Sequence, residues 1–377
     1  SLETYQLASR GVYQLLELPE RVGGRTLPEV EIVDMKQELN ERKNRTMFSH
    51  HLRECVAATL EIGGQVMLFV NRRAYSTFVQ CRSCGEAILC PNCQISLKFH
   101  FKASKLRCHY CEHSESVPKT CPACASRMIK YFGLGTEKVE REIKKLFPRS
   151  RVSRMDADAV SAKNAHTQVL KSFLKGETDI LVGTQMIAKG HDFPLVQLVG
   201  VVAADATLNL PDFRSSERTF QLLTQVSGRA GRGPVPGRVV IQTYQPDHYV
   251  IQCCINHNYK SFVEYELAER KELNYPPFSR LLNIIISGKK QEDVLKVSEG
   301  LSRQLRTGSK RARVSILGPS RAPHEKLRGR FRQQIIIKGD SGALMRTLYR
   351  DSLAGLKGKC PVTRVRITPD FDPYQLM

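Results

Sequence analysis

The alternation of apolar and polar positions divides the chain into two stretches with different rhythms. From about residue 65 to 243, short continuous apolar runs alternate with segments of helical spacing. The run V-M-L-F-V starting at Val66, bounded by Gly63-Gly64 and by arginines, predicts a buried parallel strand. Val139, Ile143, Leu146 and Phe147 recur at the spacing of one helix face, and so do Val169, Leu170, Phe173 and Leu174. RVSRMD, DILVGT, LVGVVAAD and GRVVIQT read as further strands, and SSERTFQLLTQVSGR as a helix. Strands alternating with helices predict an α/β unit, a parallel sheet covered on both faces.

From about residue 259 the order changes. A helix containing Leu267 and Leu273 runs into the adjacent prolines of YPPFSR, which end it. LLNIIISG, EDVLKVSEGLSRQL, RVSILG, RQQIIIKG, GALMRTLYRDSLAGL and VTRVRI then read as strand, helix, strand, strand, helix and strand. That β-α-β-β-α-β order is the split arrangement of an α+β ferredoxin-like domain.

The 377 residues suit two or three domains of about 100 to 200 residues each. No apolar run reaches the roughly 18 to 20 residues that cross a bilayer, and no signal segment opens the chain, so a cytoplasmic protein with no membrane partner is expected. Lys and Arg number 58 against 37 Asp and Glu, a net charge of +21 that favours a polyanionic partner such as nucleic acid. Residues 303–332 hold ten basic side chains, among them Arg328, Arg330 and Arg332, against the single acid Glu325, interleaved with His324 and Phe331. The pattern reads as a patch for backbone phosphates.

Eight of the twelve cysteines form four C-x-x-C pairs, Cys81/Cys84, Cys90/Cys93, Cys108/Cys111 and Cys121/Cys124. Two thiolates on one tight turn share a tetrahedral Zn²⁺ and two such turns complete a closed structural site, so two zinc ions are expected. Disulfides are the competing reading, and the large aliphatic remainder of the chain argues against it. Between the second and third pairs, Ile95, Leu97, Phe99 and Phe101 alternate with polar residues, which predicts a hairpin. Its closed ends would put Cys90, Cys93, Cys108 and Cys111 on one zinc and leave Cys81, Cys84, Cys121 and Cys124 for the other. An interleaved pairing is the remaining arrangement. His100, His109 and His113 read as surface histidines, and Cys55, Cys253, Cys254 and Cys360 as small buried hydrophobes.

Two segments carry phosphate chemistry. GTQMIAKGHDFP, residues 183–194, follows the strand DILV at its carboxyl end, where open α/β sheets bind ligands. QVSGRAGRG, residues 225–233, ends a helix with three glycines from which Arg229 and Arg232 project, and such guanidiniums can neutralise a transferring γ-phosphoryl group. A glycine-ended helix with two solvated arginines is the plain alternative.

These segments resemble motifs V and VI of superfamily 2 helicases. With the inserted zinc cysteines, the chain resembles the bacterial primosomal replication-restart helicase family, that of primosomal protein N′. SLETY, NRRAY, FGLGTEKVE, RMDADA, YPPFSR, LRGRFRQQ and VRITPDFDPYQL agree as well, so the resemblance spans essentially all 377 residues. It implies a RecA-like second helicase lobe over residues 1–80 and 126–258, a two-zinc insertion over 81–125 and a basic C-terminal domain over 259–377. It also implies that Arg229 and Arg232 face ATP, with Gln225 on the same wall and Gly190 and Asp192 near the ribose. Thr184 and Gln185 would contact the DNA backbone. Implied partners are forked and single-stranded DNA, single-stranded DNA-binding protein, and primosome and replicative-helicase loading proteins; the expected state is a monomer. The activity implied is ATP-dependent 3′-5′ DNA unwinding at abandoned replication forks. No G-x-x-x-x-G-K-[ST] and no D-E-x-[HD] occurs here, so the residues that grip ATP and Mg²⁺ are expected in a preceding lobe and this chain alone is expected to be inactive. A non-catalytic zinc-ribbon nucleic-acid-binding module is the alternative function. A zinc hydrolase needs an open metal position that two four-thiolate sites do not leave.

Overall fold

A computed structural model describes residues 1–18, 28–70, 78–132, 135–156, 165–187, 193–231, 236–356 and 360–376. Six strands form an all-parallel sheet in the order Glu29–Asp34, Arg238–Thr243, Val196–Val201, Gln65–Phe69, Ile180–Gly183 and Val152–Met155. Successive residues of a strand point to opposite faces, and here both faces are buried. Met67, Phe69, Leu181, Val199 and Ile241 pack beneath Phe220, Leu223 and Val226 of the helix Ser215–Ser227. Val66, Leu68, Ile180, Val182 and Val240 pack on the other side, against Leu52 and Val56 of the helix His50–Glu61 and Val139 and Ile143 of Thr136–Leu146. The strands therefore read as continuous apolar runs. The exception is the edge strand Glu29–Asp34, E-V-E-I-V-D, where Glu31 pairs with His51 and Arg238 and Asp34 accepts from the Lys36 amide, and which the apolar pattern did not mark.

The cysteine-rich segment enters after Gln65–Phe69 and leaves before Thr136–Leu146, as an insertion in this lobe. It folds as a five-stranded antiparallel sheet in the order Ser114–Ser116, Lys105–Arg107, Lys98–His100, Phe78–Cys81 and Ile129–Phe132. The sheet reaches from Phe78 to Phe132, wider than the cysteines themselves. The expected hairpin is present, with Lys98 opposite Arg107 and His100 opposite Lys105. Its strand stops at His100, however, and Phe101 starts a short 3-10 turn where it is 69% exposed instead of following Ile95, Leu97 and Phe99 inward.

The C-terminal part has the β-α-β-β-α-β order and a four-stranded antiparallel sheet ordered Val314–Leu327, Arg330–Gly339, Arg280–Gly288, Val365–Phe371. The helices Gln291–Ala312 and Gly342–Ala354 cover one face through Leu282, Ile284, Ile286, Ile335 and Ile337. The other face is not left to water. Leu281, Ile336 and Leu317 share a core with Ile88, Ile95, Leu97, Leu106 and Tyr110 of the zinc-binding unit.

A buried ion cluster ties the lobe to this junction. Arg270, 2% exposed, donates to Glu266 (2.8 Å) and Glu217 (2.8 Å), and lies 3.4 Å from Glu3, which also pairs with Arg214. Burial pushes the Glu3 carboxyl up, but Arg214 and Arg270 outweigh it and hold it below its ordinary value. For Glu266 burial prevails over Arg270 and the carboxyl is raised. Removing the shared cation leaves buried Glu266 with the Tyr249 hydroxyl and Glu217 with Arg214, the longer contact (3.6 Å), as its remaining cation. Arg270→Ala is expected to lower unfolding stability by about 3–5 kcal/mol in chemical denaturation.

Candidate metal centres and nucleic-acid interface

Each C-x-x-C pair sits on the same backbone turn. The amide of the first cysteine donates to the carbonyl five residues on: Cys81 to Glu86, Cys90 to Ile95, Cys108 to His113 and Cys121 to Ser126, each 2.8 Å. The residue four on, Gly85, Gln94, Glu112 or Ala125, returns its amide to that cysteine's carbonyl and has positive φ. Three of the turns tolerate a side chain in this left-handed conformation; the first has glycine for a further reason. A Cβ on Gly85 would lie 2.1 Å from the carbonyl oxygen of Tyr244, so this knuckle seats directly on the lobe.

The turns converge in two groups, Cys81, Cys84, Cys121 and Cys124, and Cys90, Cys93, Cys108 and Cys111, with all sulfurs of a group within 4.8 Å of one another. The distances Cys81–Cys124 (3.7 Å), Cys84–Cys121 (3.6 Å) and Cys90–Cys111 (3.6 Å) are far beyond a disulfide bond. They match the roughly 3.8 Å between ligands of a tetrahedral site with about 2.3 Å Zn–S bonds. Two zinc ions fit the two donor sets. The Tyr110 amide (3.3 Å to Cys108 Sγ) and the Asn92 side-chain amide (3.7 Å to Cys111 Sγ) point donors at the second set.

His109 is 2% exposed, not a surface residue as its sequence neighbourhood suggested. Its ring meets the Arg321 carbonyl at 2.9 Å, and its own carbonyl accepts from Ser320 Oγ (2.5 Å) and Gln334 Nε2 (2.6 Å), joining the second metal site to the C-terminal sheet. Burial depresses its pKa to about 3, so the ring stays neutral. Tyr275 completes the joint, donating to the Cys93 carbonyl at 3.2 Å while stacking on Phe213 at 4.8 Å. On the lobe side, buried Asp205 accepts from Gln80 Nε2 (3.2 Å), Thr243 Oγ1 (3.1 Å) and the Tyr244 amide (3.1 Å); burial raises its pKa against those bonds.

Parallel strands have two distinct rims, and the helicase-like segments divide between them. Thr184, buried, and Gln185, half-buried, follow Ile180–Gly183 at the carboxyl rim, the rim that carries the zinc-binding unit. Gln225 is exposed on the last turn of Ser215–Ser227, and Arg229 follows, half-buried. The amide of Gly231 donates to the carbonyl of Val196, the first residue of its strand, so this arginine segment lies at the amino rim. At about 3.3 Å per residue, the six-residue strand sets the rims roughly 15–20 Å apart. The two segments thus start from opposite edges of the sheet. Gly190, Asp192, Arg232 and the NRRAY stretch lie outside the described residues.

In the basic patch, Arg328 on the turn after Val314–Leu327 and Arg330 at the start of Arg330–Gly339 are both exposed. Arg332 is half-buried, and burial lowers its pKa. Arg306 instead holds the Gly318 carbonyl (2.7 Å), and Arg321 pairs with Glu325 (2.8 Å). A second basic surface was not legible in the sequence. Arg45, Lys130, and Lys138 with Lys145 of the helix Thr136–Leu146 come from three stretches and meet around a groove of about 680 Å³ between lobe and zinc-binding unit.

Three family models match: "Primosomal protein N C-terminal domain" over residues 271–374, "PriA DNA helicase Cys-rich region (CRR) domain" over 90–115, and "Helicase conserved C-terminal domain" over 125–234. The chain is similar to the replication restart protein PriA of Bacillus subtilis, at 47% identity over all of this chain and 47% of that protein. The PriA proteins of Synechocystis (45% identity, 96% of this chain, 43% of that protein) and Treponema pallidum (36%, 100% and 56%) are similar too. The chain spans about half the length of these relatives.

The two centres differ in exposure: Cys124 is exposed and Cys84 half-buried, whereas Cys90, Cys93 and Cys108 are buried. Metal analysis is expected to give two zinc ions per chain, and a chelator with a colorimetric zinc indicator to release them in two phases, the faster lost in Cys124→Ser.

Proposed function

Because the chain belongs to the PriA family of replication restart proteins, we propose that it supplies the second lobe, the zinc-binding unit and the C-terminal DNA-engaging domain of an ATP-dependent 3′-5′ DNA helicase that acts at abandoned replication forks. The observation that supports this best is the division of the lobe between its rims. The carboxyl rim carries Thr184 and Gln185 as well as the zinc-binding unit and is the side for DNA. The amino rim carries Arg229, on the segment that continues to Arg232, and is the side for a nucleotide held with Mg²⁺ by another lobe.

In this reading Arg229 and Arg232 stabilise charge on the γ-phosphate, Gln225 lines the same wall, and Gly190 and Asp192 approach the ribose. Closure of the lobes around nucleotide would shift Thr184 and Gln185 along one DNA strand, and reopening would advance it. Arg328, Arg330 and Arg332 take backbone phosphates of forked DNA. Single-stranded DNA-binding protein, primosome proteins and replicative-helicase loaders are the protein partners of the intact molecule, which works in the bacterial cytoplasm at the nucleoid.

This chain is expected to bind oligonucleotides with an affinity that falls steeply as salt rises, and to release no phosphate from ATP with or without DNA. Measurable DNA-stimulated turnover by the chain alone would overturn the division of labour. In the intact protein, Arg229→Ala is expected to cut DNA-stimulated ATP hydrolysis by about a thousandfold or more while zinc content and DNA affinity hold.

A further inference from the structure

We propose that Tyr131 and Phe101, with the groove beside them, form a track for single-stranded nucleic acid, in which bases stack on the zinc-binding unit and phosphates meet Arg45, Lys130 and Lys138. The inference rests on the DNA-engaging role above and gives it a location.

Phe101 and Tyr131 are 69% and 52% exposed, on a unit whose other large apolar side chains mostly lie inside. They are held in place by the buried ring of Phe99, whose centroid lies 5.0 Å from Phe101, nearly edge-on at 80°, and 4.5 Å from Tyr131. The rings are thus fixed and yet open to solvent. Tyr131 also lines the groove of about 680 Å³, where Phe132 and Tyr244 supply an aromatic wall. Among the described residues, none of Arg45, Lys130 and Lys138 has a carboxylate partner, whereas Lys145 at the same groove is paired with Glu142 (3.2 Å). Two carboxylates line the groove among the described residues: Glu142, paired with Lys145, and Asp205, which is buried and already accepts hydrogen bonds from Gln80, Thr243 and Tyr244.

A ligand that suits this surface carries regularly spaced negative charge and flat faces free to stack. Single-stranded nucleic acid has both, while a duplex keeps its base faces covered. The position agrees: the groove opens at the carboxyl rim, past the ends of Val196–Val201 and Arg238–Thr243, the rim of Thr184.

The test uses fluorescence anisotropy with a labelled oligothymidylate across a potassium chloride series, plus an oligonucleotide carrying 2-aminopurine. Phe101→Leu with Tyr131→Leu keeps the apolar bulk and removes the stacking faces. It is expected to weaken binding about tenfold, to leave the salt slope unchanged and to abolish the fluorescence quenching. Tyr131→Phe should behave as wild type. Lys130→Ala with Lys138→Ala should reduce the slope of log affinity against log salt by about 1.4, at about 0.7 per phosphate contact in a single strand. Two bound zinc ions in each variant establish that the unit is folded. Unchanged affinity and quenching in the leucine variant would overturn the track while leaving the DNA-engaging role intact. A wild-type chain that binds no oligonucleotide at low salt would overturn both.

Discussion

Four thiolates cannot share a space 4.8 Å across without a cation between them, and the architecture rests on that constraint at Cys90, Cys93, Cys108 and Cys111. The metal site fixes two knuckles, the knuckles fix the hairpin between them, and the hairpin presents Ile95, Leu97 and Leu106 to Leu281 and Ile336 of the C-terminal sheet. The zinc-binding unit is therefore half of another domain's core. The continuous apolar run of Arg330–Gly339 follows from this: one face packs under helices, the other under the metal-bound hairpin.

The same joint reaches the lobe by a contiguous set of contacts. Glu217 lies on the helix that ends just before Arg229, and its carboxylate is held by Arg270. The Arg270 guanidinium lies 5.3 Å from the centre of the Phe213 ring, Phe213 stacks on Tyr275, and Tyr275 donates to the Cys93 carbonyl. On the same carboxyl rim, Gly85 and Gln80 seat the first metal site on Tyr244 and Asp205. The carboxyl rim of the lobe is thus attached at two places to one rigid unit. A displacement of the arginine-bearing helix is resisted by packed rings and buried ion pairs, not by a loose linker.

Much of this was legible in local order. The apolar runs were long and uninterrupted because both sheet faces are covered, and the hairpin favoured the cysteine grouping that the sulfur positions show. The C-terminal element order already implied that strands Arg280–Gly288 and Val314–Leu327 would flank Arg330–Gly339. What escaped had a nonlocal cause. His109 looks like any polar residue in a zinc knuckle, and only the approach of Ser320 and Gln334 buries it. Phe101 continues an alternating pattern, yet the strand ends one residue earlier and leaves the ring in solvent.

The residues by themselves determined which elements form, that thiolates gather two metal ions, and that arginines follow a glycine-ended helix, since each depends on spacing within a few turns or one hairpin. Only the tertiary structure decided that Thr184 and Arg229 occupy opposite rims, that a glycine at 85 is demanded by a distant carbonyl, and that Arg45, Lys130 and Lys138 meet at one groove. Strand polarity and the docking of one sheet on another set those relations, and neither is written in the neighbourhood of any single residue.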